Sequence, residues 1–228
     1  MKYTLINPET EAQIVKIKHK IRLSMNGIVS GQMAENGITY KINYGVSIPR
    51  IKEIANMYTP NHELAQRLWD LQIRDTMIMA TLLEPVETFT PEMSRIWTES
   101  FQQIEIVEQA CMNLFSKLSF ANSLCMDWIK SDNTWKQITG FVLAARIFNL
   151  LDQPEISLVI AEAITLSNTG NFHLYKSIGL CLSRFCRREK VTALTILKET
   201  EAGFATPTIS QQYILNEVKQ EILFLDII

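Results

Sequence analysis

The chain has 228 residues, 47% of them apolar and 20% charged, and carries a net charge of −2. Those proportions suit an ordinary soluble fold and exclude a disordered chain, no apolar run approaches the ~20 residues that cross a bilayer, and a near-neutral balance excludes a uniformly basic nucleic-acid binder. The N-terminal stretch MKYTLINPETEAQ lacks the apolar core of a signal peptide, so a cytoplasmic protein is expected.

Helix-period apolar spacing runs from Pro8 to the C-terminus with no credible strand between segments. Asn7-Pro8-Glu9 opens a helix over 8–26, because proline's missing N–H costs nothing in a first turn. Gly27 and Gly37 read as helix ends or turns, and residues 28–46 as a short helix and a loop. Ser47-Ile48-Pro49 and Asn61-His62-Glu63 start helices over 47–57 and 61–71, followed by one over 73–84. Thr90-Pro91-Glu92 starts a helix over 91–101, and others follow over 104–116, 119–130 and 133–150, the last carrying Phe141, Ala144, Ala145 and Phe148 on one stripe. Asp152-Gln153-Pro154-Glu155 opens a helix over 153–168. Then come 171–188, with Ile178, Leu182 and Phe185 inward, 189–200, and 207–226 behind Thr206-Pro207; Gly170 and Gly203 punctuate them. Helix pairs recurring every roughly 30–40 residues suit an all-α fold, a HEAT-like α-α superhelix of antiparallel helix pairs forming a single solenoid domain over 1–228.

Motifs that would carry chemistry are mostly lacking. There is no phosphate-binding glycine loop, no H-E-x-x-H and no G-x-S-x-G. His19, His62 and His173 stand apart with no second ligand type at metal spacing, so no metal and no cofactor are expected. Cys111, Cys125, Cys181 and Cys186 sit within helical apolar patterns without C-x-x-C spacing and read as reduced thiols. Trp69, Trp97, Trp128 and Trp135 each fall where a helix needs an apolar residue, which favours core packing over a stacking platform.

Charge is spread unevenly: +4 over residues 1–60, −6 over 61–132 and zero over 133–228. Residues 170–198 hold Lys176, Arg184, Arg187, Arg188, Lys190 and Lys198 against Glu189 alone. On a helix Lys176, Arg184, Arg187 and Arg188 lie close to one side, opposite Ile178, Leu182 and Phe185. That side is either a solvated outer face or a group of phosphate contacts.

Tyr44-Gly45-Val46-Ser47-Ile48-Pro49, with Ile51 and Ile54-Ala55, resembles the GV-x-x-P-x-x-R-x-x-A opening of the AlkD-like DNA alkylation-repair family. Leu68-Trp69, Arg74-Asp75 and Ile78-Met79-Ala80 are similar to that family's LW...RE...A helix. Trp128-Ile129-Lys130-Ser131-Asp132-Asn133 with Trp135 resembles its W-x-x-SDN-x-W segment, and Lys176-Ser177-Ile178-Gly179 its K-AIGW element. The likeness spans about residues 44–200. It implies a HEAT-like solenoid whose concave basic face holds double-stranded DNA, and an N-glycosidic hydrolysis that releases cationic purines such as 7-methylguanine and 3-methyladenine. Such a purine already carries positive charge and needs no general acid; a carboxylate must steady the developing oxocarbenium and place a water, while aromatic faces hold the cation.

The departures from the family pattern fall on the functional positions. Aligning Ile104-Glu105-Ile106-Val107-Glu108-Gln109 with the W-D-x-V-D-x segment puts Glu108 on the catalytic aspartate and Ile104 on one cleft tryptophan. The second cleft tryptophan becomes Leu180, and the two cleft arginines become Ile138 and Ser183, with Arg184 one place on. Glu108 borders the stripe of Ile104, Val107, Cys111, Leu114 and Phe115, as a cleft residue or an exposed flank, while Glu105 is expected to turn toward solvent. Three readings stand: a glycosylase with Glu108 as its catalytic carboxylate, a silent relative that binds DNA phosphates through Lys176, Arg184, Arg187 and Arg188, or a solenoid for a protein partner.

Overall fold

A computed structural model describes residues 7–227. Among them the secondary structure is helical apart from one isolated bridge between Ile42 and Ile73. The chain divides into two compact units, residues 1–90 and 91–228.

The first unit holds α1 (Pro8–Leu23), α2 (Gly27–Glu35), α3 (Ile48–Ala55), α4 (His62–Asp70) and α5 (Arg74–Leu83). Helix α1 starts where Asn7 accepts from the Glu9 amide and buries Thr10, Ile14, Ile17 and Ile21 at helical spacing. It stops at Leu23, three residues short of the expected end. Asn26 accepts from the Val29 amide and starts α2, so Gly27 begins a helix instead of ending one. The physical reason is a polar break at Ser24–Asn26, where Asn26 competes for the backbone more effectively than α1 can extend.

Helix α5 is buried from Arg74 through Thr81 and again at Leu83, and two of its side chains tie down the loop before α3. The Tyr44 and Val46 amides donate to the two oxygens of Asp75, at 2.9 and 3.0 Å. Arg74 Nη1 donates to the Val46 carbonyl at 2.8 Å and to Asp75 Oδ1 at 3.1 Å. Gly45 between them has φ +67°, and a Cβ there would come within 2.2 Å of the Asn26 carbonyl oxygen, so no side chain fits. The G-V and R-D elements of the sequence are therefore two halves of one buried hydrogen-bonded junction.

The second unit holds α6 (Pro91–Glu99), α7 (Ile104–Asn113), a 3-10 turn (Phe115–Lys117), α8 (Ala121–Ile129), α9 (Thr134–Ile147), α10 (Gln153–Leu166), α11 (Phe172–Cys186), α12 (Lys190–Gly203) and α13 (Ile209–Phe224). They form two layers. One row runs α7, α9, α11, α13, each packed on the next, and α8, α10 and α12 form a second row behind it. This is the alternation that antiparallel helix pairs produce when successive pairs stack.

Helix α9 sits at the middle of the first row. Asn133 caps it by accepting from the Lys136 amide, and Ile138 through Ala145 are buried without a break. It can be buried so fully because Gly140 lets α8 approach: a Cβ there would lie 2.7 Å from Ile129 Cγ1 and 2.8 Å from the Ile129 amide nitrogen. Most boundaries of this unit shift by one to three residues, with α9 ending at Ile147 instead of 150 and α12 running on to Gly203 instead of 200. Helix α7 breaks at Leu114 into the 3-10 turn, which lets Leu114 and Phe115 both point inward. Helix α11 ends at Cys186 instead of 188, and α13 starts at Ile209, where Thr208 and Gln211 form a reciprocal capping box.

Asp75→Ala would leave the Arg74 charge buried beside two orphaned amides and is expected to cost about 3–5 kcal/mol in urea unfolding. Gly140→Ala, a single methyl pressed against backbone, is expected to cost about 1–3 kcal/mol; unchanged midpoints in either variant would contradict the packing described.

Candidate functional site

The open face of the first row in the second unit is a groove, and Glu108 stands in its middle. From α7 its carboxylate reaches a hollow of about 350 Å³ lined also by Ser116, by Val142, Ala145 and Arg146 of α9, by Phe148, and by Leu180 and Arg184 of α11. Val107 is buried and Glu108 exposed, one step round the helix, because the apolar stripe of α7 locks into α9 and leaves its edge to the groove. Glu105, expected to face solvent, is half-buried.

The electrostatics of this carboxylate are set by competition. Burial among the groove walls raises the Glu108 carboxyl above its ordinary value, the Arg146 guanidinium pulls it back down, and Glu105 adds to the rise. The tip is solvent-reachable while the walls displace enough water to disfavour its charge. A carboxylate kept where folding penalises its ionised form is a common mark of a functional position, and so is an arginine set beside it.

Glu108 also lines a second, adjoining hollow of about 310 Å³ with Ile104, Val142, Phe172, His173, Lys176, Ser177, Leu180, Tyr213 and Glu217. Aromatic rings gather here: Trp135 stacks on His173 at 5.9 Å, Phe172 meets His173 edge-on at 5.6 Å, and Tyr175 lies 5.3 Å from Tyr213. The Lys176 ammonium sits 4.7 Å from the Phe172 ring centre and 5.5 Å from that of Tyr213, a cation already held by two aromatic faces. Burial first, and then the Glu217 carboxylate, raise the Tyr213 phenol above its ordinary value.

The four basic residues singled out in the sequence part company. Arg184 lines the first hollow and Lys176 the second. Helix α11 ends before Arg187 and Arg188, which leave its face. Arg187 forms a two-pronged bond to Glu221 of α13, at 2.6 and 3.1 Å. Arg188 Nη1 donates to the carbonyls of Phe148 and Leu151, capping the end of α9. Of the positions aligned with the family's cleft, Ile104 and Leu180 do line the groove, whereas Ile138 is buried in the core and the Ser183 hydroxyl bonds back to the Leu180 carbonyl.

Arg146 was missed in the sequence. Its signal is present, as the lone cation in the apolar run Gly140–Phe148, yet nothing local says that it meets Glu108. Tyr213 and Glu217 were missed because α13 joins the groove only through tertiary packing. The four thiols are buried and free; burial raises those of Cys111, Cys125 and Cys181, and pushes that of Cys186 up to about 12, so none is a ready nucleophile. Trp69, Trp97 and Trp128 are core residues. Among the described residues no three His, Cys, Asp or Glu side chains are placed to hold a metal ion, and no helix is long and apolar enough to cross a membrane.

Residues 28–210 match the family described as DNA alkylation repair enzyme. The chain belongs to that family. Its fold matches a solved structure described as a new family of proteins related to the HEAT-like repeat DNA glycosylases with affinity for branched DNA structures. The TM-score is 0.76 at 13% identity, over 90% of this chain and 93% of that one, which makes this a HEAT-like repeat fold. No curated protein matches the sequence. The groove lies wholly within the family-matched segment apart from Tyr213 and Glu217.

For Glu108 the sign of the pH effect follows from its raised value. Folding favours the neutral carboxyl, so between the ordinary glutamate value and the raised one, stability falls as pH rises. Glu108→Gln should therefore melt above the parent at pH 7, with the gap closing under acid conditions. In an NMR titration, Arg146→Gln should move the Glu108 midpoint further up; a downward or absent shift would remove Arg146 from its surroundings.

Proposed function

We propose that this protein binds DNA along the groove of its second unit, with Arg146, Arg184 and Lys176 meeting backbone phosphates, and that it excises alkylated purines poorly or not at all. The observation that carries the reading is the placement of Arg146 and Arg184 around one hollow with Glu108 between the walls. Guanidinium groups present paired donors that suit phosphate oxygens, and groove-lining cations not consumed by structural bonds are what a polyanion needs. The solved relative's affinity for branched DNA makes a branched duplex the natural first ligand.

Three features of the same groove disfavour excision. Ile104 and Leu180 stand where the family resemblance places cleft tryptophans, so two cation-holding faces, worth about 0.5–2 kcal/mol each, are gone. Glu108 is longer than aspartate, and misplacing a reacting group by about an ångström costs on the order of a hundredfold in rate. Its charge is disfavoured by burial and offset by Arg146, so it steadies an oxocarbenium weakly, and Arg146 repels a cationic purine.

Purified protein should bind a four-way DNA junction with an affinity that falls steeply with salt, and Arg184→Ala should lower the slope of log K against log salt by about 0.9 for the phosphate contact removed. Release of 7-methylguanine and 3-methyladenine from alkylated DNA should not exceed that of Glu108→Gln. Salt-indifferent or absent DNA binding would sink the binding assignment; base release that disappears in Glu108→Gln would make the protein an active glycosylase.

A further inference from the structure

The outer face of α1 is a basic surface that the groove does not account for. Residues 16–22 read Lys-Ile-Lys-His-Lys-Ile-Arg, five basic side chains in seven positions. Ile17 and Ile21, with Ile14, are buried on the inner side. Lys16, His19 and Arg22 are exposed, and Lys18 and Lys20, half-buried, flank them, so the cations fan over the half of the helix turned from the core. Glu11, the carboxylate nearest in sequence, is engaged by Arg67 of α4, and among the described residues Lys16, Lys18 and Lys20 have no ion-pair partner.

The helix dipole accounts for only part of this charge. Lys20 and Arg22 lie in the last turn, where cations are favoured by the helix dipole. Lys16 and Lys18 lie before it and gain little from that, while like charges four apart, as at Lys16 and Lys20, repel by a few tenths of a kcal/mol. A fold that stays self-repulsive on one exposed face gains from an anionic partner.

The partner's chemistry can be narrowed. A helix that lies in a lipid surface needs a free apolar face, and the apolar side of α1 is already buried against α3 and α4, leaving Val15 and Leu23 outside. A phosphate backbone asks only for a cluster of accessible cations, which the 16–22 run supplies across the outer half of the helix over about 9 Å, about five phosphate spacings of duplex counted over both strands. We propose that the outer face of α1 is a second phosphate-binding surface, engaging DNA independently of the groove in the second unit. Two such surfaces on one chain raise apparent affinity for a DNA that can occupy both, through effective concentration. The inference rests on the DNA-binding reading but not on the groove residues.

The test uses the full-length triple variant Lys16→Gln/Lys18→Gln/Lys20→Gln, with Lys117→Gln/Lys198→Gln/Lys219→Gln as a control of equal charge change. Binding to a fluorescent four-way junction and to a linear duplex is followed across a salt series. The α1 variant, melting as the parent does, should lose about 2–3 from the salt slope and ten- to a hundredfold in affinity at low salt. Arg184→Ala should add its own loss to that. Parent-like isotherms in the α1 variant, or an equal loss in the control, would overturn the proposal while leaving the groove assignment intact if Arg184→Ala still weakens binding. Unchanged DNA binding with lost affinity for phosphatidylserine vesicles would assign the face to a membrane and overturn it likewise. Absence of DNA binding in the parent would overturn both readings together.

Discussion

The contact on which the second unit depends is the approach of α8 to α9 at Gly140. With no side chain there, the backbone of Ile129 closes onto α9, and the eight consecutive buried residues from Ile138 to Ala145 fill the space between both rows. Helix α9 is then a fixed post against which α7 and α11 pack from either side. The groove is the open edge of that packing. Glu108 reaches it from α7, Arg146 from α9 and Arg184 from α11, and none of the three would face the others if α9 rotated or lifted.

Within that frame, the cations divide into those held by structural bonds and those left to the groove and the surface. Arg188 closes the end of α9 by bonding two backbone carbonyls, and Arg187 ties α11 to α13 through Glu221. Arg74 is spent in the same way, buried with Asp75 against the loop at Tyr44–Val46. Among the described residues, Arg146, Arg184 and the outer cations of α1 take no such structural bond, except that Arg22 Nε donates to the Tyr44 hydroxyl. A cation without a structural bond keeps its hydration until a ligand replaces it, which is what counterion-driven binding to a polyanion uses.

The family-like motifs turn out to be largely structural. Asn133 of the S-D-N segment is the cap of α9, the Ser131 hydroxyl accepts from the Asn133 amide, and its carbonyl accepts from Gln137. Gly45 and Asp75 make one junction of the first unit. These residues hold the fold's junctions and caps, and for that reason they say little about catalysis. Of the positions aligned with the family's cleft, Ile104 and Glu108 lie between the motifs, and Leu180 is the altered last place of the K-AIGW element.

Helix number, capping and the apolar stripes were legible in the sequence, because each depends on neighbours within about four residues: Asn7, Ser47, Asn61 and Asp152 all act as the caps their positions imply. Among the boundaries that moved, those at Leu23 and Leu114 are where a competing cap or the need to bury two adjacent side chains overrides a periodic pattern. The charged lining of the groove was legible in part: Glu108, Lys176 and Arg184 stand out as charges beside apolar stripes. That Arg146 faces Glu108, that Arg187 and Arg188 turn away, and that Tyr213 and Glu217 complete the wall could come only from the tertiary structure. Local periodicity says which side of a helix is buried; which charges meet across a groove depends on how separate helices pack.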